Sequence, residues 1–340
     1  MESVYEMGLD IARWLQENYP WLRTFLEYIS EAGRFEFYLG ILPLIYWSLD
    51  KQLAHNLVYL LAFSDVTNSI AKHALRGPRP YWLDSSLQLG DEESYGIPSG
   101  HAQSAFVAYI YLAIWLRQRW IWLAAVLIVF LMGLSRVYLG VHFFHDVLAG
   151  YLVGLIIVVG YLVWRRYGLE TFRQRILGQR LLIAILIPLA FGLLYAAIRL
   201  LIGEPDQAAA WASFFPDAET TSLRNVTSAL GALLGVGCGF VLEGSRVRFR
   251  ADGPIWKRIL RTVVGFVGIL VVWRGLGLIL PTEPLWLGLP LRIFRYFLLG
   301  IWASYYAPMV FVRLRLAEAH PAPAIDVSMR SLDKIQPPQK

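Results

Sequence analysis

A chain of 340 residues is long enough for two soluble domains, but 57% of this one is hydrophobic, 14% is aromatic and only 16% is charged, with a mean hydropathy of +0.49. Those values exclude an ordinary soluble globular protein and place the chain among polytopic helical membrane proteins. The net charge of +6 and the pI near 9.4 come from basic residues gathered in a few connections, which speaks for orientation in a bilayer and against a nucleic-acid partner.

The first 35 residues carry six acidic and three basic side chains, with apolar positions at helical spacing: Met7, Ile11, Trp14 and Leu15, then Leu22, Phe25, Leu26 and Ile29. The pattern predicts an amphipathic segment, residues 1–35, lying on the membrane surface. It lacks the basic start and small-residue cleavage site of a signal peptide, so it is expected to be retained. Beyond it recur apolar runs that approach the roughly 20 residues a bilayer core requires. They predict an all-α transmembrane bundle of about nine spanning helices, approximately Phe37 to Leu49, Ala54 to Leu75, His101 to Leu116, Trp120 to Leu139, Phe144 to Trp164, Leu181 to Ile202, Leu223 to Leu242, Ile259 to Leu280 and Leu291 to Val312.

Three polar clusters interrupt these runs. KHALRGPRP ends the second span and sets Lys72 seven residues before Arg79, giving two cations that either anchor to lipid headgroups or bind an anion. PSGH, Pro98 to His101, opens the third span, where Ser99 and the free amides of Gly100 and its neighbours make either an ordinary cap or an anion-binding helix start. SRVYLGVHFFHD, Ser135 to Asp146, joins the fourth span to the fifth and adds Arg136.

In that last stretch His142 and Asp146 are four residues apart and are expected to share a helix face. The carboxylate would then accept from one ring nitrogen and leave the other free as nucleophile or base. His145 is expected to point about 100° away from Asp146 and to be a bystander. Metal binding by His142, His145 and Asp146 would need further ligands that the neighbouring sequence does not supply, so no metal or cofactor is expected. The single cysteine, Cys238, lies in an apolar run and offers neither an intramolecular disulfide nor a thiolate cluster. The acidic loop Asp91 to Glu93 adjoins the clusters, and Arg274, inside the eighth run, is expected to snorkel to the outer surface.

Basic residues crowd the connections Arg165 to Arg180 and Arg246 to Arg261 and recur at Arg313 and Arg315, whereas Gly203 to Ser222 carries Glu204, Asp206, Asp217 and Glu219 with no basic residue. By the positive-inside rule the former are cytoplasmic and the latter is not. Counting back, all three clusters fall on the outer face, extracytoplasmic or lumenal. There they supply three cations, two histidines and an orienting aspartate, a set suited to transfer of a phosphoryl dianion.

These residues, in this order, resemble the signature of the phosphatidic acid phosphatase type 2 superfamily: lysine, six residues, Arg-Pro; Pro-Ser-Gly-His; then Ser-Arg, five residues, histidine, three residues, aspartate. All eleven fixed positions match. The resemblance implies His142 as the nucleophile of a phosphohistidine intermediate, Asp146 as its orienting group and His101 as the proton donor to the leaving alkoxide. Lys72, Arg79, Ser99, Gly100 and Arg136 would hold the phosphoryl oxygens without metal. It also implies a catalytic core of six helices, residues 36–202, followed by three additional helices, 203–316, and a polar cytoplasmic tail, 317–340. Nine spans and the aromatic pair Tyr81 and Trp82 after Arg79-Pro80 resemble the glucose-6-phosphatase and sphingosine-1-phosphate phosphatase branches. The expected activity is hydrolysis of a lipid phosphomonoester or pyrophosphate at the outer face of the bilayer. A sugar-phosphate phosphatase and a lipid phosphotransferase are the alternatives, and the oligomeric state is open.

Overall fold

The computed structural model describes residues 2–320; of the expected tail, residues 321–340 lie outside the described residues. Apart from one antiparallel bridge between Phe249 and Ala319, the described regular structure is helical. Two helices, α1 (Glu2–Asn18) and α2 (Arg23–Glu31), precede a bundle of α3 (Phe35–Ser48), α4 (Lys51–Leu75), α5 (residues 100–116) and α6 (Arg119–Tyr138). The chain continues through α7 (Phe144–Tyr167), α8 (Leu177–Ile202), α9 (Ala212–Val247), α10 (Ile255–Ile279) and α11 (Leu285–Arg313).

Among the described residues, the six helices from α6 to α11 are long and apolar enough to cross a membrane. The three earlier members of the expected nine are helical but depart from that pattern in different ways. The α3 helix has 14 residues. The α5 helix is short and has a π-helical turn at Phe106–Ile110. The α4 helix is 25 residues long but carries Lys51, His55, Asp65, Lys72 and His73.

Local chemistry sets several of the ends. Asp50 caps α4 by accepting from the Leu53 amide at 2.9 Å. The α9 helix starts well before the expected Leu223, with Pro216 and Asp217 in its opening turns, where a fixed φ and a negative charge both suit a helix N-terminus. Asp217 and Glu219, expected in a connection, are therefore helical.

The α9 helix is the central one and packs on α4, α8 and α11. Its Gly231, Gly235 and Gly239 form a small-residue stripe against α11, so close that a Cβ at Gly235 would sit 2.3 Å from the Phe297 carbonyl oxygen. Tyr46 and Trp47 of α3 join Phe240, Ile269 and Phe311 in one buried cluster, so the later helices pack directly on the earlier ones. Leu148, Leu152, Ile156 and Val159 on α7 and Val263, Val267 and Leu270 on α10 point outward, as a lipid-facing surface requires. Arg274 is also exposed and lies 4.7 Å over the Trp273 ring, in keeping with a snorkelling side chain.

The amphipathic segment divides its apolar residues between two faces. Gly8, Ala12 and Leu26 are buried on the bundle, while Met7, Ile11, Trp14 and Phe25 of the expected stripe face outward with Trp21 and Tyr28. Polar contacts fasten it down: Arg13 pairs with Asp84 at 2.8 Å, and the Gln16 amide donates to the carbonyls of Leu87 and Tyr138.

Candidate active site

Four helix ends meet beneath α1 and α2: the C-termini of α4 and α6 and the N-termini of α5 and α7. Because the helices alternate in direction, the three polar clusters converge at one end of the bundle. Lys72, Arg79, Ser99, Arg136, His142 and Asp146 are all buried there, with His101 and Gly100 at the edge.

Gly140 makes the turn that aims His142. Its φ of +70° lies in the left-handed region, and a Cβ would meet the Leu87 carbonyl at 2.1 Å. His142 follows in a bend and is not part of α7, contrary to the expected shared helix face. Asp146 instead reaches back from the first turn of α7 to accept from the Phe143 amide at 2.9 Å, a helix-capping arrangement. The same oxygen lies 3.4 Å from His142 Nδ1. Nε2 of His142 is 3.3 Å from an Arg79 guanidinium nitrogen and faces the cations. Burial lowers the His142 pKa, and Arg79, Lys72 and Arg136 lower it further, which favours the neutral ring.

His145 departs from expectation. Its Nε2 comes within 3.3 Å of the other Asp146 oxygen, while its ring stacks on Phe143 and approaches Tyr5 of α1. Adjacency to Asp146 does not carry it away, because both residues sit in the first turn, where the carboxylate turns back toward the chain preceding the helix. His55 packs on Phe240, and His73 lies between Tyr195 and Glu219, both outside the cluster.

Backbone carbonyls of the loop before α5 hold two of the cations. Lys72 donates to Tyr95 O and, at 3.2 Å, to Gly96 O. Arg79 donates to Ser94 O at 2.5 Å, Tyr95 O at 3.1 Å and Val141 O at 2.8 Å. Arg136 is held by Ser30 of α2, whose hydroxyl accepts at 2.5 Å.

Ser99 is tied to α7 through its amide, which donates to Asp146 O at 3.0 Å, and its hydroxyl faces the Ala102 amide at 3.5 Å. Close packing makes this possible: a Cβ at Gly150 of α7 would lie 2.6 Å from Ser99 O. Behind the helix start, Asn68 donates to Pro98 O and Gln103 Oε1, and Gln103 donates to Ser64 O. These bonds fix the start of α5, whose opening amides have no partner within the helix. Among the described residues, His101 Nε2 is buried and has no hydrogen-bond partner. Among the described residues, no group of three His, Cys, Asp or Glu side chains is placed to hold a metal ion.

Three site residues go beyond the expected set. Glu92 lies between the cations, its Oε1 at 2.5 Å from Arg136 Nη2 and 3.8 Å from His101 Nδ1, its Oε2 at 4.0 Å from Arg79 Nη2. Burial opposes its ionisation, but Arg136, His101, Arg79 and Lys72 override that and hold the carboxyl far below the usual range. Tyr95 gives its carbonyl to Lys72 and Arg79 and its hydroxyl, at 2.6 Å, to Glu219 of α9. Glu219 in turn faces Arg76 at 3.3 Å and Arg199 at 3.6 Å. The acidic run Asp91 to Glu93 marked the loop in the sequence, but nothing local marked Glu219 as its neighbour or Ser30 as the partner of Arg136.

The chain that carries this site is similar to known proteins. Residues 53–170 match the PAP2 superfamily, and residues 227–319 match the PAP2 superfamily phosphatase, transmembrane extension. Phosphatidylglycerophosphatase B of Bacillus subtilis is 30% identical over 151 residues, 41% of this chain and 72% of that protein. The chain belongs to the PAP2 superfamily. This PAP2 chain is also 30% identical to human sphingosine-1-phosphate phosphatase 2 over 166 residues, 45% of the chain and 40% of that protein. It is 25% identical to rat glucose-6-phosphatase catalytic subunit 1 over 312 residues, 81% of the chain and 86% of that protein. The crystal structure of a transmembrane PAP2 type phosphatidylglycerolphosphate phosphatase from Bacillus subtilis aligns at 24% identity with a TM-score of 0.42, covering 49% of this chain and 88% of that one. The protein is a PAP2 superfamily membrane phosphatase with multi-pass architecture.

Proposed function

We propose that this PAP2 protein hydrolyses a lipid phosphomonoester or pyrophosphate at the extracytoplasmic or lumenal face through a phosphohistidine on His142, without metal. The observation that carries the reading is the buried His142, with Asp146 beside one nitrogen and Arg79 beside the other. In this reading Nε2 of His142 attacks phosphorus in line and the bond to the leaving oxygen breaks. His101 protonates that oxygen, then removes a proton from the water that releases phosphate. Lys72, Arg79, Arg136, Ser99 and the amide of Gly100 take up the charge on the equatorial oxygens.

The basic ends, with Arg165 and Arg166 closing α7, lie opposite the site, which supports the outer face. Nine membrane crossings follow if α3, α4 and α5 also span, packed by their neighbours. The catalytic core is then 36–202, and 203–316 is an extension that braces the loop before α5. The outward aromatics of the N-terminal segment, Trp14, Trp21, Phe25 and Tyr28, are suited to the membrane interface and support a lipid substrate. A sugar phosphate is the second reading, favoured by the glucose-6-phosphatase match, which runs through both core and extension.

The test is phosphate release by detergent-purified protein, with chelator present, from phosphatidate, phosphatidylglycerophosphate, polyprenyl pyrophosphate, sphingoid phosphate and glucose 6-phosphate. Release from a lipid substrate in chelator is the expected result. Activity on glucose 6-phosphate alone would transfer the assignment to the second reading, and strict metal dependence would overturn the mechanism.

A further inference from the structure

Among the described residues, Glu92 is the carboxylate that reaches Arg136, Arg79 and His101 together, where the two arginines would hold a phosphoryl group and His101 would meet its leaving oxygen. Arginine forks pair with carboxylate and phosphate in the same planar geometry, so the two anions compete for one position. They cannot share it, since a carboxylate within about 4 Å of a phosphoryl dianion meets strong like-charge repulsion in a buried site.

We propose that Glu92 is a tethered competitor for the phosphoryl subsite: its carboxylate fills the subsite in the resting enzyme and leaves as the phosphoryl group enters, which sets the apparent affinity for every phosphoryl ligand. The inference rests on the phosphatase reading above.

The backbone of the loop need not open for this exchange. Tyr81 Oη donates to Glu92 O at 2.5 Å, Ser94 O and Tyr95 O hold Arg79, and Tyr95 O and Gly96 O hold Lys72. Two contacts fix the same loop to α9: Thr221 donates to Glu93 at 2.9 Å, and Tyr95 donates to Glu219 at 2.6 Å. The cradle therefore stays assembled while the Glu92 side chain rotates out. The side chain is 28% exposed, so it has a path to solvent. A dianion offers the cations twice the charge of the carboxylate and displaces it, whereas a monoanionic ligand competes on nearly equal terms.

The competition has a signature that a structural role lacks, which is an affinity that improves when the residue is neutralised. Glu92→Gln keeps the shape and removes the charge. Its inhibition constant for vanadate should fall about tenfold, the factor expected if the carboxylate occupies the subsite about nine-tenths of the time. KM for a lipid phosphate should fall with it, because the effect belongs to the phosphoryl group and not to the rest of the substrate. Glu92→Asp keeps the charge on a shorter arm, preserves a folded protein if the glutamine variant is unstable, and should shift both constants in the same direction by about threefold.

Constants that stay unchanged or rise in folded variants overturn the proposal. Vanadate inhibition of the parent protein is the control that separates the two claims. If the parent is neither inhibited by vanadate nor active on any phosphate ester, the phosphatase reading itself falls. If the parent is inhibited and the variants match it, only the role of Glu92 falls.

Discussion

Asp146→Asn tests the orientation of His142 with little change in shape. The carboxylate is 1% exposed and makes three contacts: the Phe143 amide at 2.9 Å, His142 Nδ1 at 3.4 Å and His145 Nε2 at 3.3 Å. An asparagine oxygen can still accept from Phe143, so the capping bond survives and folding stability should fall by only about 1 kcal/mol. The pairing with His142 does not survive in the same form. With the oxygen kept on Phe143 it also stays beside His142 Nδ1 and the amide N–H turns to His145, so the tautomer is kept but no charge remains to support a cationic ring. That loss should lower kcat by about a hundredfold, within the range of positioned acid-base groups. KM should change little, because Asp146 does not face the phosphoryl subsite. The assay is steady-state phosphate release in detergent with thermal unfolding of the same preparation. A folded variant with kcat within about threefold of the parent would refute the orientation argument.

Other consequences can be measured in parallel. Tyr95→Phe removes the hydroxyl bound to Glu219 but leaves the carbonyls that hold Lys72 and Arg79, so kcat/KM should fall about fivefold with a small loss of stability; unchanged kinetics would disconnect α9 from the site. Gly235→Ala forces a methyl against the Phe297 carbonyl and should destabilise the protein by about 1 to 3 kcal/mol in a detergent melt, and an unshifted melt would contradict the close approach of α9 and α11.

The pH dependence follows from the lowered pKa of His142, caused by burial and then by Arg79, Lys72 and Arg136. A ring whose folded pKa is depressed stays neutral as pH falls through the ordinary histidine value near 6.5, and it is protonated only nearer its own pKa. The acid limb of kcat/KM should therefore track the substrate's second phosphate ionisation, near pH 6 for a monoester, and move when a substrate of different phosphate pKa is used. A limb fixed near pH 6.5 for all substrates would contradict this.

Much of the site was legible because its residues lie at helix ends that the apolar runs delimit. Lys72, Ser99, Arg136 and Asp146 each sit within a turn of a boundary, and alternation of helix direction brings them together without any knowledge of packing. His145 lies nearer Asp146 than a helix-wheel angle gives, because that angle assumes a helix already under way, whereas Asp146 caps the chain before it. The opening turns of α9 were missed because Asp217 and Glu219 are too polar for a hydropathy reading, although both suit a helix start.

Long-range contacts left no local trace. Arg136 to Ser30 joins positions 106 apart, and Tyr95 to Glu219 joins positions 124 apart. The acidic run at Glu92 was visible as charge, but its place between three cations depends on the folded loop.

The most direct test of the proposed chemistry is to trap the covalent enzyme. Protein mixed with a phosphate-labelled substrate and quenched in base within the first turnover should carry an acid-labile, base-stable phosphate on His142, located by peptide mass spectrometry, and His142→Ala should carry none. Label on His101 or His145, label that persists in His142→Ala, or product burst without any labelled histidine would contradict nucleophilic catalysis by His142.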